Sequence, residues 1–144
     1  MQRHLFVYGT LMTAAASAPL GKTMRARLRR EAASLGAATM PGRLHDLGRY
    51  PGLVESPDPA ERVHGEVFRL ADPASTLAWL DAYEGARPGD PASEYERALR
   101  TARLAFGGDD VTAWVYLYRG DLARAPHLID GRWQPQPVTG RRRS

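Results

Sequence analysis

The hydrophobic positions fall into short runs that are separated by glycine and proline. Residues 4–8 (HLFVY) are apolar at consecutive positions, which is typical of a central strand covered on both faces. A second strand is predicted at 63–70 (VHGEVFRL). The runs 94–106 (EYERALRTARLAF) and 111–119 (VTAWVYLYR) predict two further strands, joined as a hairpin by Gly107–Asp110.

Helical signals are fewer. Residues 72–85 (DPASTLAWLDAYEG) predict a helix, because Asp72 is a good N-cap, Pro73 suits the first helical position and Gly85 suits the C-terminal end. An alanine- and arginine-rich stretch predicts a second, weaker helix over about 23–34.

The remaining segments decide the fold class. The glycines and prolines of 41–56 (PGRLHDLGRYPGLVES) exclude a helix and favour short strands with tight turns. Strands outnumber helices and do not alternate strictly with them, so we predict an α+β fold with a mixed or antiparallel sheet that can curl into a barrel. Residues 1–133 are expected to form one domain, with order after Gly120 confined to 127–133 (HLIDGRW), and 134–144 a basic, flexible C-terminal tail.

Composition excludes several classes of protein. With no cysteine among its 144 residues, the chain has no disulfide framework, no thiolate nucleophile and no thiol-ligated zinc site. It contains no 18-residue apolar run, and its N-terminus lacks the pattern of a signal peptide. We therefore expect a soluble, cytoplasmic protein.

The net charge of +4 is unevenly distributed. Arg25, Arg27, Arg29 and Arg30 form one cluster, and 141–143 form another. Such clusters can bind nucleic acid, but a solvated helix face and a frayed tail explain them more simply. We expect no nucleic-acid partner.

No familiar catalytic motif is present. His4, His45, His64 and His127 are scattered and none pairs at metal-ligand spacing. The chain has neither a GxSxG nucleophile elbow nor a phosphate-binding P-loop.

Glu84 is the strongest candidate for acid–base chemistry. It lies at the last turn of the predicted helix, where the partial negative charge of the helix end disfavours a carboxylate and raises its pKa. A carboxylate of raised pKa suits a general base near neutral pH, although an exposed helix-end glutamate without a role has the same sequence signature. Asp81, one turn earlier, is the second candidate.

The first strand stops abruptly at Tyr8-Gly9-Thr10-Leu11. A loop that offers its backbone N–H groups to a ligand would need such a break, since glycine permits close approach. Tyr116 lies in an aromatic stripe at period two, which is more often core than a binding wall.

Together these segments resemble the gamma-glutamylcyclotransferase-like family, in particular its short bacterial members and gamma-glutamylamine cyclotransferases. The resemblance covers about residues 4–133. It is carried by FVYGTLM, PGRLHDLGRYPGLV, VHGEVFRL, LAWLDAYEG, EYERALRTARL, AWVYLY and LIDGRW, in that order.

The resemblance implies a small mixed β-barrel with helices packed outside. It also implies intramolecular cyclisation of a gamma-glutamyl amine or amino acid to 5-oxoproline, with release of the amine and without a cofactor or metal. It assigns the catalytic role to Glu84 and substrate binding to Tyr8, Gly9, Thr10, Leu11, Tyr95 and Tyr116.

Two segments depart from the family pattern. Residues 86–93 (ARPGDPAS) are proline-rich, and His45 replaces a frequent aromatic residue, so either could affect the pocket. The identity of the leaving amine, the pathway and the oligomeric state stay open. A non-catalytic module that binds a small ligand on the same fold and a nucleic-acid-binding protein are the alternatives.

Overall fold

A computed structural model describes residues 1–15 and 21–134 of the chain. The strands and helices, in chain order, are β1 (His4–Val7), α1 (Lys22–Glu31), β2 (Ala32–Pro41), β3 (Arg43–Asp46), β4 (Pro51–Val54), β5 (Arg62–Leu70), α2 (Pro73–Glu84), β6 (Tyr95–Leu104) and β7 (Asp110–Tyr118). A single 3₁₀ turn lies at Thr13–Ala15.

The sheet closes into a barrel. Its strand order is β1-β5-β2-β6-β7-β4-β3, and β7 also pairs with β1. The closing pair is parallel and aligns Leu5 with Trp114, whereas β1–β5, β2–β5, β2–β6 and β6–β7 are antiparallel. The α+β class and the mixed barrel are therefore confirmed.

Helix α2 has the predicted termini. The side chain of Asp72 accepts a hydrogen bond from the backbone N–H of Ser75, and Gly85 ends the helix at a φ of 69°. Leu77 and Leu80 bury their side chains in the core. Helices α2 and α1 have 12 and 10 residues. No helix in the described ranges is long and apolar enough to cross a membrane.

The predicted helix at 23–34 is wrong beyond Glu31. Strand β2 begins at Ala32 and pairs with β5 along its whole length, starting with Ala32 opposite Leu70. Alanine favours a helix when isolated, but here tertiary pairing overrides that propensity. A bulge between Ser34 and Gly36 lets Gly36 adopt a φ of 95°.

The other predicted elements are present. Strands β3 and β4 form an antiparallel pair within 41–56, and β6 and β7 form the expected hairpin. Residues 127–133 pack on the barrel, since Leu128 donates its N–H to the carbonyl of Leu44 at 2.8 Å and Trp133 is buried. Apart from Gln134, the predicted tail at 134–144 lies outside the described residues.

Gly65 lets β1 approach β5 closely. A Cβ atom at this position would lie 2.3 Å from the carbonyl oxygen of Val7 and 2.6 Å from Cζ of Phe6. Both atoms belong to the strand that leads into the Tyr8–Leu11 loop, so they have little freedom to move aside.

We therefore expect Gly65→Ala to lower the free energy of unfolding by about 3 kcal/mol, because overpacking against a backbone atom cannot relax cheaply. Urea denaturation measures the loss. Gly48→Ala is the control, since a Cβ atom on Gly48 would meet no other atom within 4 Å, but its φ of 106° carries backbone strain that alone costs about 1–2 kcal/mol. Equal losses in the two variants would contradict the packing argument.

Candidate active site

A cavity of about 230 Å³ opens where the end of β1, the start of β4, the end of α2 and the start of β6 meet. Its lining consists of residues 6–11, 50–51, 83–84 and 94–95 together with Tyr116. The structure thus brings together the seven residues to which the family resemblance assigns catalysis or substrate binding: Tyr8, Gly9, Thr10, Leu11, Glu84, Tyr95 and Tyr116.

The carboxyl group of Glu84 faces this cavity. As a residue Glu84 is half-buried, because the cavity is open on one side, but protein atoms crowd its carboxyl group. Within residues 1–15 and 21–134, no side chain or backbone group forms a hydrogen bond or ion pair with it.

Burial raises the pKa of Glu84 to about 8, and the nearby charge of Glu94 contributes to the rise. The direction agrees with the expectation from the helix terminus. The largest cause, however, is loss of hydration, which disfavours the charged form of an unpaired carboxylate.

The Tyr8–Leu11 loop presents backbone N–H groups without acceptors. The amides of Gly9, Thr10 and Leu11 donate no hydrogen bond to any described residue. The carbonyl of Gly9 accepts from the N–H of Met12 at 3.1 Å, and the carbonyl of Thr10 accepts from the guanidinium of Arg25. Because a trans peptide points its N–H opposite to its C=O, the amides of Thr10 and Leu11 are directed away from these partners and are available to a ligand.

Arg25 corrects an expectation. The sequence predicted that it lies with its neighbours on a solvated helix face, but its side chain is only 4% exposed and supports the loop from behind. The reason is tertiary: the loop carbonyl of Thr10 needs a donor, and α1 brings a guanidinium to it. No sequence pattern signals this contact, since Arg25, Arg27 and Arg29 look alike.

Glu66 anchors the other end of the loop. Its carboxylate, 8% exposed, accepts from the N–H and the hydroxyl of Thr13, each at 2.7 Å, and from the hydroxyl of Ser34 at 2.6 Å. These bonds fix the chain that leaves the loop against β5 and β2.

The buried tyrosines form the wall of the cavity. The hydroxyl of Tyr8 donates to the carbonyl of Tyr116 at 2.6 Å, and the hydroxyl of Tyr95 donates to the carbonyl of Pro51 at 2.7 Å. The hydroxyl of Tyr116 donates to the carboxylate of Asp81. Burial raises the pKa of the hydroxyls of Tyr8, Tyr95 and Tyr116, so they stay protonated. Since these protons are donated to protein acceptors, the hydroxyls are not free to donate to a ligand.

Gly9 makes room for a neighbouring part of the protein. A Cβ atom on Gly9 would lie 2.8 Å from Cδ of Pro51. The missing side chain therefore lets β4 close against the loop, which places Pro51 and Tyr50 in the cavity wall.

Asp81, the second candidate base, does not line this cavity. It borders a neighbouring open groove and forms an ion pair with Arg97, with Oδ1 2.9 Å from Nε. Oδ1 also accepts from the hydroxyl of Tyr116 at 2.7 Å. Its carboxylate is thus engaged, whereas that of Glu84 is not.

The two departures from the family pattern also lie elsewhere. Residues 86–91 and Ser93 border the same open groove, and His45 places Nδ1 2.9 Å from the carbonyl of Ala125. Neither lines the cavity. Among residues 1–15 and 21–134, no group of three or more His, Asp or Glu side chains is placed to hold a metal ion.

Three cavity residues with polar side chains, Tyr50, Tyr83 and Glu94, were not anticipated as cavity residues. Tyr83 places its hydroxyl 3.1 Å from that of Thr10, and Tyr50 donates to Glu94 at 2.7 Å. No pattern in the sequence indicated that Glu94 lines the cavity. It directly precedes Tyr95, a predicted site residue, but a single acidic residue before a strand is not a recognisable motif.

Comparison with known proteins finds relatives along nearly the whole sequence. The model of the family described as "Gamma-glutamyl cyclotransferase, AIG2-like" matches residues 5–135. A curated protein of Vibrio cholerae, named "Putative gamma-glutamylcyclotransferase", is 38% identical over 135 residues, which cover 92% of this chain and 96% of that protein.

Solved structures share the fold. A mouse AIG2-like protein superposes with a TM-score of 0.69 at 24% identity, covering 96% of this chain and 98% of its own. YkqA from Bacillus subtilis gives a TM-score of 0.64 at 20% identity. That superposition covers 92% of this chain and 40% of YkqA. At these identities the likeness concerns the fold alone. The family model and the Vibrio relative span nearly the whole sequence, and the chain therefore belongs to the gamma-glutamyl cyclotransferase, AIG2-like family.

Proposed function

We propose that the protein is a gamma-glutamyl cyclotransferase that converts a gamma-glutamyl amine or amino acid into 5-oxoproline and the free amine, with Glu84 as general acid and base. The observation that carries this proposal is the pairing, within one cavity, of an unpartnered carboxyl group and a loop whose backbone amides have no acceptor among the described residues. Family membership supports the same reaction class.

The substrate contains both reacting groups. Its α-nitrogen attacks its own γ-carbonyl carbon, a new C–N bond closes the five-membered ring, and the bond to the leaving nitrogen breaks. Two protons leave the attacking nitrogen and two reach the leaving nitrogen. Glu84 relays these two protons one after the other, accepting each from the α-nitrogen and returning it to the departing nitrogen, so no proton is consumed overall.

The backbone amides of the loop stabilise the negative charges of the substrate by donating hydrogen bonds. The α-carboxylate of the glutamyl group and the oxyanion that develops on the γ-carbonyl both need donors, and those of Gly9, Thr10 and Leu11 are unoccupied by any described residue. Holding the flexible glutamyl chain folded back on itself is the other task of the cavity, since it brings nucleophile and carbonyl together in advance.

The raised pKa suits Glu84 to its task. An ordinary glutamate is a weak base toward an ammonium group. A pKa of about 8 instead of 4.5 increases the equilibrium constant for proton transfer to Glu84 by roughly three orders of magnitude. Burial without a partner therefore creates the base that the reaction requires.

We expect Glu84→Gln to lower the turnover number by about 100-fold to 10,000-fold, the usual range for loss of a general base. Release of 5-oxoproline from a panel of gamma-glutamyl compounds measures the effect. Glu96→Gln is the matched control, because Glu96 is an exposed carboxylate paired with Arg119 and lies outside the cavity lining. Binding without turnover by the folded wild type would favour a non-catalytic module, and turnover that survives Glu84→Gln would contradict the assigned base.

The pH dependence should follow Glu84. Below its pKa of about 8 the carboxyl group is mostly protonated and cannot accept a proton, so kcat/KM should rise about tenfold per pH unit between pH 6 and 7.5. Glu94→Gln removes a like charge and should move the rise to lower pH. A wild-type profile that is flat over this range would contradict the proposal.

Thermal stability should fall as pH rises, whereas kcat/KM rises. The carboxyl group of Glu84 has a pKa of about 8 in the folded protein and about 4.5 in the unfolded chain, so the protein loses folding stability as pH rises between those values. We expect Glu84→Gln to raise Tm at pH 8.5 by about 2–8 °C and to raise it less at pH 5. Calorimetric scans at the two pH values check this, and an equal change at both would contradict it.

A further inference from the structure

The cavity has an uneven charge distribution. Two carboxylates line it, Glu84 and Glu94, whereas no Arg, Lys or His does so among the residues that the structure describes. At the loop end, the backbone amides and the guanidinium of Arg25 behind Thr10 supply positive character. The cavity is therefore polarised, with donors at one end and carboxylates at the other.

Glu94 lies at the open end. It is exposed, yet it lines the cavity, and Oε1 lies 3.9 Å from the position of a Cβ atom on Gly85, the residue after Glu84. The hydroxyl of Tyr50 donates to Oε2 at 2.7 Å and holds the carboxylate in place. In the described part of the chain, no cation pairs with it, since the guanidinium of Arg119 pairs with Glu96.

This polarity orients the substrate. The glutamyl portion carries the α-carboxylate, so it belongs at the loop amides, and the γ-carbonyl then lies near Glu84. The leaving amine extends from the γ-carbonyl past Gly85 toward the mouth, where it passes Glu94.

We infer that Glu94, held by Tyr50, selects gamma-glutamyl derivatives whose leaving amine carries a second, cationic group a few bonds from the scissile nitrogen. The inference rests on the proposed function and narrows its substrate class. A leaving group that carries a carboxylate near the scissile nitrogen, as in gamma-glutamyl amino acids and glutathione, meets the like charge of Glu94 and no described cation, so its approach is disfavoured.

Three matched leaving groups isolate the charge. The gamma-glutamyl amides of 1,4-diaminobutane, pentylamine and 5-aminopentanoate share a four-methylene chain that ends in an ammonium, a methyl and a carboxylate group. Homologues with two to five methylene groups vary the distance between the scissile nitrogen and the terminal group, so that one of them can reach Glu94. We expect kcat/KM to fall about threefold or more from ammonium to methyl and again from methyl to carboxylate, at the best chain length and low ionic strength.

Glu94→Gln tests the residue. Glutamine can still accept the hydrogen bond of Tyr50, so the substitution removes charge with little change in shape. The ratio between ammonium and carboxylate substrates should then fall to about one, whereas Glu96→Gln, which changes the net charge equally but lies outside the cavity lining, should preserve the wild-type ratio. Any change in the basicity of Glu84 alters all three rates alike and cancels in the ratio.

The outcomes separate this inference from the proposed function. If the methyl-terminated amides are turned over but the charge of the leaving group has no effect at any chain length, or if Glu94→Gln preserves the ratio, the inference is wrong and the cyclotransferase assignment stands. If the folded protein releases 5-oxoproline from none of the compounds, the proposed function itself is wrong.

Discussion

The site depends on one carboxyl group that is buried without a partner. Glu84 lies among protein atoms at the end of α2, and the described residues offer it neither a hydrogen bond nor a cation. A nearby arginine would have lowered its pKa and made it a weak base. Asp81, one turn earlier on the same helix, does have partners, since Arg97 forms an ion pair with it and the hydroxyl of Tyr116 donates to it. Within one helix, therefore, one acid is engaged by protein partners and the other has none among the described residues.

The surroundings keep that arrangement in place. The loop opposite Glu84 is fixed by its carbonyls and by its far end, where Arg25 binds Thr10 and Glu66 binds Thr13. Its amides thereby have no acceptors among the described residues. Burying Glu84 without a partner costs folding stability, whereas the hydrogen bonds of Arg25 and Glu66 stabilise the surrounding structure.

Local patterns in the sequence were enough to predict β1, β5, β6, β7 and the termini of α2, because each depends on residues close together in the chain. Strand β2 was missed, since its alanine-rich sequence favours a helix until β5 is there to pair with it. Burial of Arg25 and the Tyr50–Glu94 contact were missed for a related reason: both join residues distant in the sequence. Glu84 could be singled out from its helix end, but the main cause of its raised pKa, burial, is tertiary.

The most direct test is the titration of Glu84 itself. Carbon-13 NMR of the side-chain carboxyl carbon, assigned by comparison with Glu84→Gln, follows the protonation of this one group in the free protein. Burial without a partner predicts a midpoint near pH 8. A midpoint near 4.5 would show a solvated or paired carboxylate, and would contradict the claim that the protein prepares Glu84 as a base by burying it alone.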